Sequence, residues 1–264
     1  MIQPTNARYE YLRLTRRDRV LYISLNRPEK LNAVNLKMSR EILLCIQALS
    51  DDEITRVAVI TGEGRAFCAG GDLSLEDSFT GNGFARELEL YAETILAILS
   101  CPKPMICELN GDAVGWGATI ALYCDIIIAN QSARIGDPHV NVGLSTGDGA
   151  SIIWPQLAGY PRARQLLLTG ELISAEQASR YGLVNEAVDS KLLRARVDEI
   201  ADQIASKPGL AIAMTKASIN IPLKTLVRAS MDSYISYECA TQQHPDHPRA
   251  VKEFLNRRSS SNRK

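Results

Sequence analysis

No net charge is left once the ionisable side chains are counted: 30 Lys and Arg offset 30 Asp and Glu, and the pI is about 6.8. A chain without positive excess is not a dedicated nucleic-acid binder or polybasic membrane binder, although a local basic pocket stays open to it. Long hydrophobic runs are also missing. The longest apolar stretch, Ala113 to Cys124, contains Gly115 and Gly117 and ends at Asp125, too short for a membrane helix. Met1 to Arg19 carries arginines but no apolar segment, so it does not read as a secretory signal. The six cysteines (Cys45, Cys68, Cys101, Cys107, Cys124 and Cys239) form no CxxC pair, and most sit in apolar stretches. That usage predicts free buried thiols in a reducing, cytoplasmic setting. His244 and His247 each precede a proline, and no Cys or carboxylate cluster completes a set of three or four ligands, so no metal is expected.

What is present is ordinary globular composition, 45% hydrophobic and 23% charged over 264 residues. Period-two alternation around Leu12 and Leu14, then Val20 to Leu25, predicts a hairpin. Val57–Ile60, Met105–Leu109 and Ile126–Ala129 are short continuous apolar runs, as expected of strands buried on both faces. Between them, Leu36–Leu49 and the series Phe84, Leu88, Tyr91, Ile95, Leu99 have helical spacing, and a shorter helix is expected near Ala118–Tyr123. The rhythm is that of an α/β fold. After Asp148 the pattern turns helical, with segments predicted at 151–157, 162–168, 175–181, 191–205, 210–219, 224–241 and 248–257. The organisation expected is an α/β core over residues 1–200 and a helical region over 201–264.

Two small-residue segments follow buried strands: Gly64 to Leu73, including Ala69-Gly70-Gly71-Asp72, and Asn110 to Thr119, including Gly115-Trp116-Gly117. Such turns let a ligand approach backbone N–H groups, and a helix N-terminus adds positive potential. Two N–H groups converging on one carbonyl would stabilise an enolate or a tetrahedral oxyanion. Taken alone, each segment reads more simply as a plain turn, since turn glycines usually serve only backbone geometry.

Taken together with their neighbours, these segments resemble the crotonase superfamily, the enoyl-CoA hydratase/isomerase family. The blocks stand in order: Asn26-Arg27-Pro28-Glu29-Lys30-Leu31-Asn32-Ala33, Ala66 to Leu73, Asn110-Gly111 through Cys124-Asp125, Leu168-Thr169-Gly170 through Gly182-Leu183-Val184, and Phe254 with Arg257 and Arg258. The resemblance implies a stack of ββα units with a C-terminal helical trimerisation region, in a homo-trimer or homo-hexamer. It implies the N–H groups of Ala69 and Trp116 as an oxyanion hole for a thioester carbonyl. Substrate would lie along Arg27, Lys30, Ala33, Gly70, Asp72, Leu73, Gly115, Gly117 and Thr119, with Arg27, Lys30, Arg257 and Arg258 near coenzyme A. Coenzyme A would come as part of the substrate, with no separate cofactor. The small-molecule substrate would be an acyl-CoA, without nucleic acid or membrane as partner.

The departures concern the acid and base. Family hydratases use two glutamates, and this chain has Thr119 and His139 at those positions. A threonine hydroxyl is no carboxylate base near neutral pH. His139 titrates near neutrality, and Asp148, nine residues on between two glycines, would orient its ring. Read without the resemblance, His139 is equally a core histidine and Asp148 a helix cap. The His and Asp placement resembles a subgroup that hydrolyses carbon–carbon bonds of β-diketones by a retro-Claisen route. Three functions follow: a coenzyme A-dependent lyase or isomerase with His139 and Asp148 replacing the glutamates, a β-diketone hydrolase, and a non-catalytic binding protein on the same fold. The loop 76–83 is expected to shape the acyl pocket.

Overall fold

The computed structural model describes residues 9–72 and 82–261 of the chain. Strands β1 (Leu12–Arg17) and β2 (Val20–Leu25) form the expected antiparallel hairpin, turned at Asp18, whose φ of 49° suits a tight two-residue loop. Helix α1 (Leu36–Ser50) starts on Asn35, whose side chain accepts the Met38 N–H at 2.8 Å. β3 (Val57–Gly62), buried along its whole length, pairs parallel to β2 and is followed by the three-residue β4 (Ala66–Cys68). Helix α2 (Asn82–Ser100) comes next, then β5 (Met105–Leu109), β6 (Asp112–Val114) and α3 (Trp116–Leu122). β7 (Ile126–Asn130) and β8 (Arg134–Gly136) complete the rhythm.

The short strands β4, β6 and β8 join a second sheet. One sheet runs β1-β2-β3-β5-β7 and ends on β10 (Glu186–Val188), while the other runs β4-β6-β8-β9, with β9 at Leu172–Ser174. This is the stack of ββα units that the sequence led us to expect. The three-residue strands were not legible in it, because three residues are too few to show a period.

The remaining chain is mostly helical: α4 (Ala150–Thr169), α5 (Ala175–Arg180), α6 (Ser190–Ala205), α7 (Gly209–Ile219), α8 (Ile221–Gln243) and α9 (Asp246–Ser261). α4 covers the two helices expected at 151–157 and 162–168. Its backbone breaks at Gly159 (φ 74°, ψ 156°), two residues before Pro161. α6 lays Leu193, Val197 and Ile200 over Val20, Tyr22, Val57 and Ile128 on one face of the large sheet. Each such fully buried aliphatic side chain stabilises the fold by about 1.5–3 kcal/mol. The larger core fills the space between the two sheets and α1 to α4. α8 packs along α2 and reaches the loop before α4, which brings a late segment of sequence to the middle of the molecule. Among the described residues no helix is long and apolar enough to cross a membrane.

Candidate active site

The segment Arg27–Ala33 is a clasp. Asn32, fully buried in the left-handed conformation (φ 55°), donates its amide to the carbonyls of Glu63, Ala66 and Phe67 at 2.9, 3.0 and 3.2 Å. A short asparagine is among the few side chains that tolerate that backbone and can bond locally. Arg27 is buried as well. It donates to the Ala33 carbonyl at 2.5 Å and to the Asp72 carboxylate at 3.0 Å, so its charge is neutralised inside the protein. This corrects the expectation that Arg27 is available to phosphates. Lys30 is exposed and lies at the rim of the cavity described next.

The clasp sets the backbone of the first small-residue segment. Val34 donates to the Gly70 carbonyl at 2.8 Å, and its own carbonyl accepts from Asp72 at 2.9 Å. Gly71, between these two bonds, therefore turns its N–H away from Val34, and that N–H has no acceptor among the described residues. Ala69 is different: its N–H is donated to the Leu31 carbonyl at 3.0 Å. This corrects the choice of Ala69 as a free donor; the signal missed in sequence was the pairing of the clasp with residues 69–72. Trp116 opens α3, where a first-turn N–H has no intrahelical acceptor, and none other is present among the described residues. Gly70 (φ 91°) holds the two segments close. A side chain there would place its Cβ 2.8 Å from the Val114 carbonyl oxygen and 3.7 Å from the Trp116 nitrogen.

Gly71 and Trp116 line one cavity of about 390 Å³, together with Ala33, Ala69, Gly70, Asp72, Gly115, Tyr91, Glu87, His139 and Glu238. Gly117 and Thr119 are not on its wall. Gly117 is glycine because α3 presses on β4: a Cβ would stand 2.5 Å from the Cys68 carbonyl. Thr119 is fully buried, and its hydroxyl donates to Asp148 at 2.9 Å. Leu73 and most of the loop 76–83 lie outside the described residues, as do the side chains of Arg257 and Arg258.

His139 reaches the cavity from a short turn after β8, near Gly115, where a Cβ would be 3.5 Å from its ring. Its Nδ1 is bonded to the carboxylate of Asp137, two residues earlier, and not to Asp148. The partner expected from sequence is thus corrected: the Asp-Pro-His turn folds Asp137 back onto the ring. Asp148 accepts from Thr119 and from the Ala150 N–H at 3.1 Å, but the N-cap of α4 is Gly149, so Asp148 lies one residue outside the capping position considered for it. It still stands close, since one donor atom each of Asp137, His139 and Asp148 lie within 4.8 Å of one another.

The fourth member was invisible in sequence. Glu238, on α8, is buried, lies 3.6 Å from His139 Nε2, and accepts the Gly147 N–H at 2.6 Å. No local pattern marks a carboxylate brought in from a distant helix. Burial pulls the His139 ring toward its neutral form, but the charges of Asp137, Asp148 and Glu238 outweigh it and hold its pKa well above 6.5. Burial lifts Glu238 to about 8 and Asp148 to about 6. The arrangement gathers an imidazole and three buried carboxyls around one side of a cavity whose other wall carries two N–H groups without an acceptor among the described residues.

A family model described as Enoyl-CoA hydratase/isomerase matches residues 15–263. The chain is 33% identical to the 1,2-epoxyphenylacetyl-CoA isomerase of Escherichia coli K12, over 91% of this chain and 93% of the relative. It is 34% identical to the crotonyl-CoA hydratase of Syntrophomonas wolfei, over 84% and 86%. A crystal structure of an enoyl-CoA hydratase/isomerase from Mycobacterium paratuberculosis superposes with a TM-score of 0.87 at 33% identity, covering 92% of this chain and 98% of that one. With its stacked ββα units, this chain belongs to the enoyl-CoA hydratase/isomerase family. It is a crotonase-type enzyme of acyl-CoA metabolism.

Proposed function

We propose that this enzyme polarises an acyl-CoA thioester on the N–H groups of Gly71 and Trp116 and uses His139, oriented by Asp137, to take a proton from water. The observation that carries this reading is that both unpaired N–H groups and His139 open on one cavity. Each such donor lowers a barrier by about 2.7–4 kcal/mol when charge develops on the oxygen it meets. Water adds to an enoyl thioester as its proton moves to the His139 ring and its oxygen bonds to the β-carbon; the electrons of the carbon–carbon double bond shift toward the carbonyl, leaving an enolate whose oxygen is held by the two N–H groups. Asp137 stabilises the imidazolium so formed, with Asp148 adding charge behind it. Coenzyme A enters as part of the substrate, with no separate cofactor. Lys30, exposed at the rim without an ion pair among the described residues, supports a phosphate contact there. Arg257 and Arg258 remain candidates for the same role.

A second reading is favoured by the three carboxyls around His139: hydrolysis of a β-dicarbonyl, in which the water attacks one carbonyl and the other departs as the enolate. The free thiols of all six cysteines support a cytoplasmic setting. Exposed Leu210, Met214, Ile219 and Ile221 support assembly into a trimer or hexamer. Incubation of the purified protein with a panel of acyl-CoA thioesters and of free β-diketones, followed by mass spectrometry, tests the choice. Gain of one water by an enoyl thioester supports the first reading; cleavage of a free diketone supports the second. Absence of both, with no coenzyme A binding by calorimetry, overturns both readings.

A further inference from the structure

Among the described carboxyls of the cavity wall, Glu87 is the buried one that neither an ion pair nor the chemistry above employs; Glu29 is exposed, and Asp72 is held by Arg27. Glu87 sits on α2 and is 5% exposed. No Lys or Arg pairs with it among the described residues; its neighbours are the hydroxyls of Tyr91 and Ser39 and the carboxylate of Asp72, itself held by Arg27. Tyr91 donates to it at 2.8 Å. The same hydroxyl lies 3.8 Å from where a Cβ on Gly71 would be, and the Tyr91 ring is stacked on Trp116. Glu87 is therefore one hydroxyl away from the corner that holds both free N–H groups. A carboxyl taken out of water without a cation is costly, and a glutamine or a carbonyl would serve the tyrosine equally well. Buried acids of this kind collect where a proton has to be moved.

We propose that Glu87 is the acid that delivers a proton to the α-carbon of the bound enolate. The inference rests on the enolate reading and supplies the step that reading lacks. The electron pair of the enolate takes the carboxyl proton, the new C–H bond forms, and the oxygen held by Gly71 and Trp116 returns to a carbonyl. The Glu87 carboxylate regains its proton from the one His139 took from water, passed through water in the cavity, so the cycle balances. Burial, reinforced by the Asp72 charge, raises Glu87 to about 7, which keeps the carboxyl largely protonated below neutral pH.

The reverse of the step gives the test. Butyryl-CoA is incubated in deuterium oxide, and loss of its α-hydrogen signal is followed by NMR. Acetoacetyl-CoA, whose enolate absorbs in the near ultraviolet, reports separately on the two N–H groups. Wild type is expected to exchange the α-hydrogens. Glu87→Gln, equal in size and able to keep the Tyr91 bond, is expected to exchange about 10²–10⁴-fold more slowly while still raising the enolate band. Glu87→Asp is expected to recover part of the rate. Exchange at the wild-type rate in Glu87→Gln overturns the inference and leaves the enolate reading intact. Loss of the band along with the exchange overturns it too, because Glu87 then only shapes the site. A wild type that neither exchanges nor raises the band removes the enolate reading and this inference with it.

Discussion

Tyr91 lies flat on Trp116, with ring centroids 3.9 Å apart and planes 14° from parallel. The tryptophan stands at the first position of α3, so its N–H can serve a carbonyl only while the large indole has a place to rest. The stack gives it that place, and Glu87 anchors the far end of the tyrosine. Tyr91→Phe keeps the stack and is expected to cost less than about 1.5 kcal/mol, whereas Tyr91→Ala opens a void and is expected to cost about 3–5 kcal/mol. Urea melts of the two variants check this; equal losses would show that the stack does not support Trp116.

The glycines of the first segment should respond differently. An alanine at Gly70 would need φ near 91° and would meet the Val114 carbonyl at 2.8 Å, while one at Gly71 has only the Tyr91 hydroxyl at 3.8 Å. Gly70→Ala should lower stability by about 1–3 kcal/mol and turnover with it, and Gly71→Ala should be close to neutral in stability. Thermal melts and kcat on any substrate found decide; the reverse order would mean that the two N–H groups are not set by this backbone.

Replacing His139 by alanine should reduce turnover about 10²–10⁴-fold. Its pKa is held well above 6.5 by Asp137, Asp148 and Glu238 against the effect of burial, so the ascending limb of the pH–rate profile is expected above the ordinary histidine range. Asp137→Asn removes the nearest charge and should move that limb to lower pH. A limb unmoved by Asp137→Asn would assign the titration to another group.

Glu238 binds a proton more tightly in the folded protein, at about 8, than in the unfolded chain, near 4.5. Between those values the native state carries the extra proton, so stability from this group falls as pH rises through the window. The raised ring of His139 acts in the same direction. Glu238→Gln should flatten the decline and melt higher than wild type at pH 8. An unchanged slope in the variant would count against a buried neutral acid at this position.

Leu210, Met214, Ile219 and Ile221 leave large apolar surfaces on the outside of α7 and at the start of α8. Light scattering at micromolar concentration should return a multiple of the 29.0 kDa chain mass, and Leu210→Glu with Met214→Glu should shift it toward the monomer. A wild-type protein that scatters as a monomer would refute assembly through these helices.

Much of this fold could be read from periodicity, because strands such as Val57–Ile60 and helices such as α2 each span enough residues to repeat a pattern. The three-residue strands could not, nor could the pairing that removes the Ala69 N–H and leaves that of Gly71. His139 stood out through its family position, but its partner is set by a turn two residues back, a geometry that Asp137-Pro138 hints at and spacing alone does not decide. Glu87 did carry a signal: it shares the apolar face of α2 with Phe84, Leu88 and Tyr91, where a carboxyl has no structural reason to be. Glu238 carried none, for it is brought to the ring only by tertiary packing.

The contact between Gly147 and α8 also sets an order of assembly. Residue 147 must be glycine because a Cβ would stand 2.5 Å from the Tyr234 carbonyl oxygen, and its N–H is bonded to Glu238, 91 positions later. Closing a contact across so long a stretch of chain costs more conformational entropy than the local pairings of the strands and helices between them. During synthesis the two small-residue segments leave the ribosome well before Glu238 does, and the carboxyl set around His139 is complete only with it. A chain that ended before α8 would still hold His139 on Asp137 but would lack the buried carboxyl 3.6 Å from the other ring nitrogen, so one late glutamate ties the electrostatics of the site to the last third of the sequence.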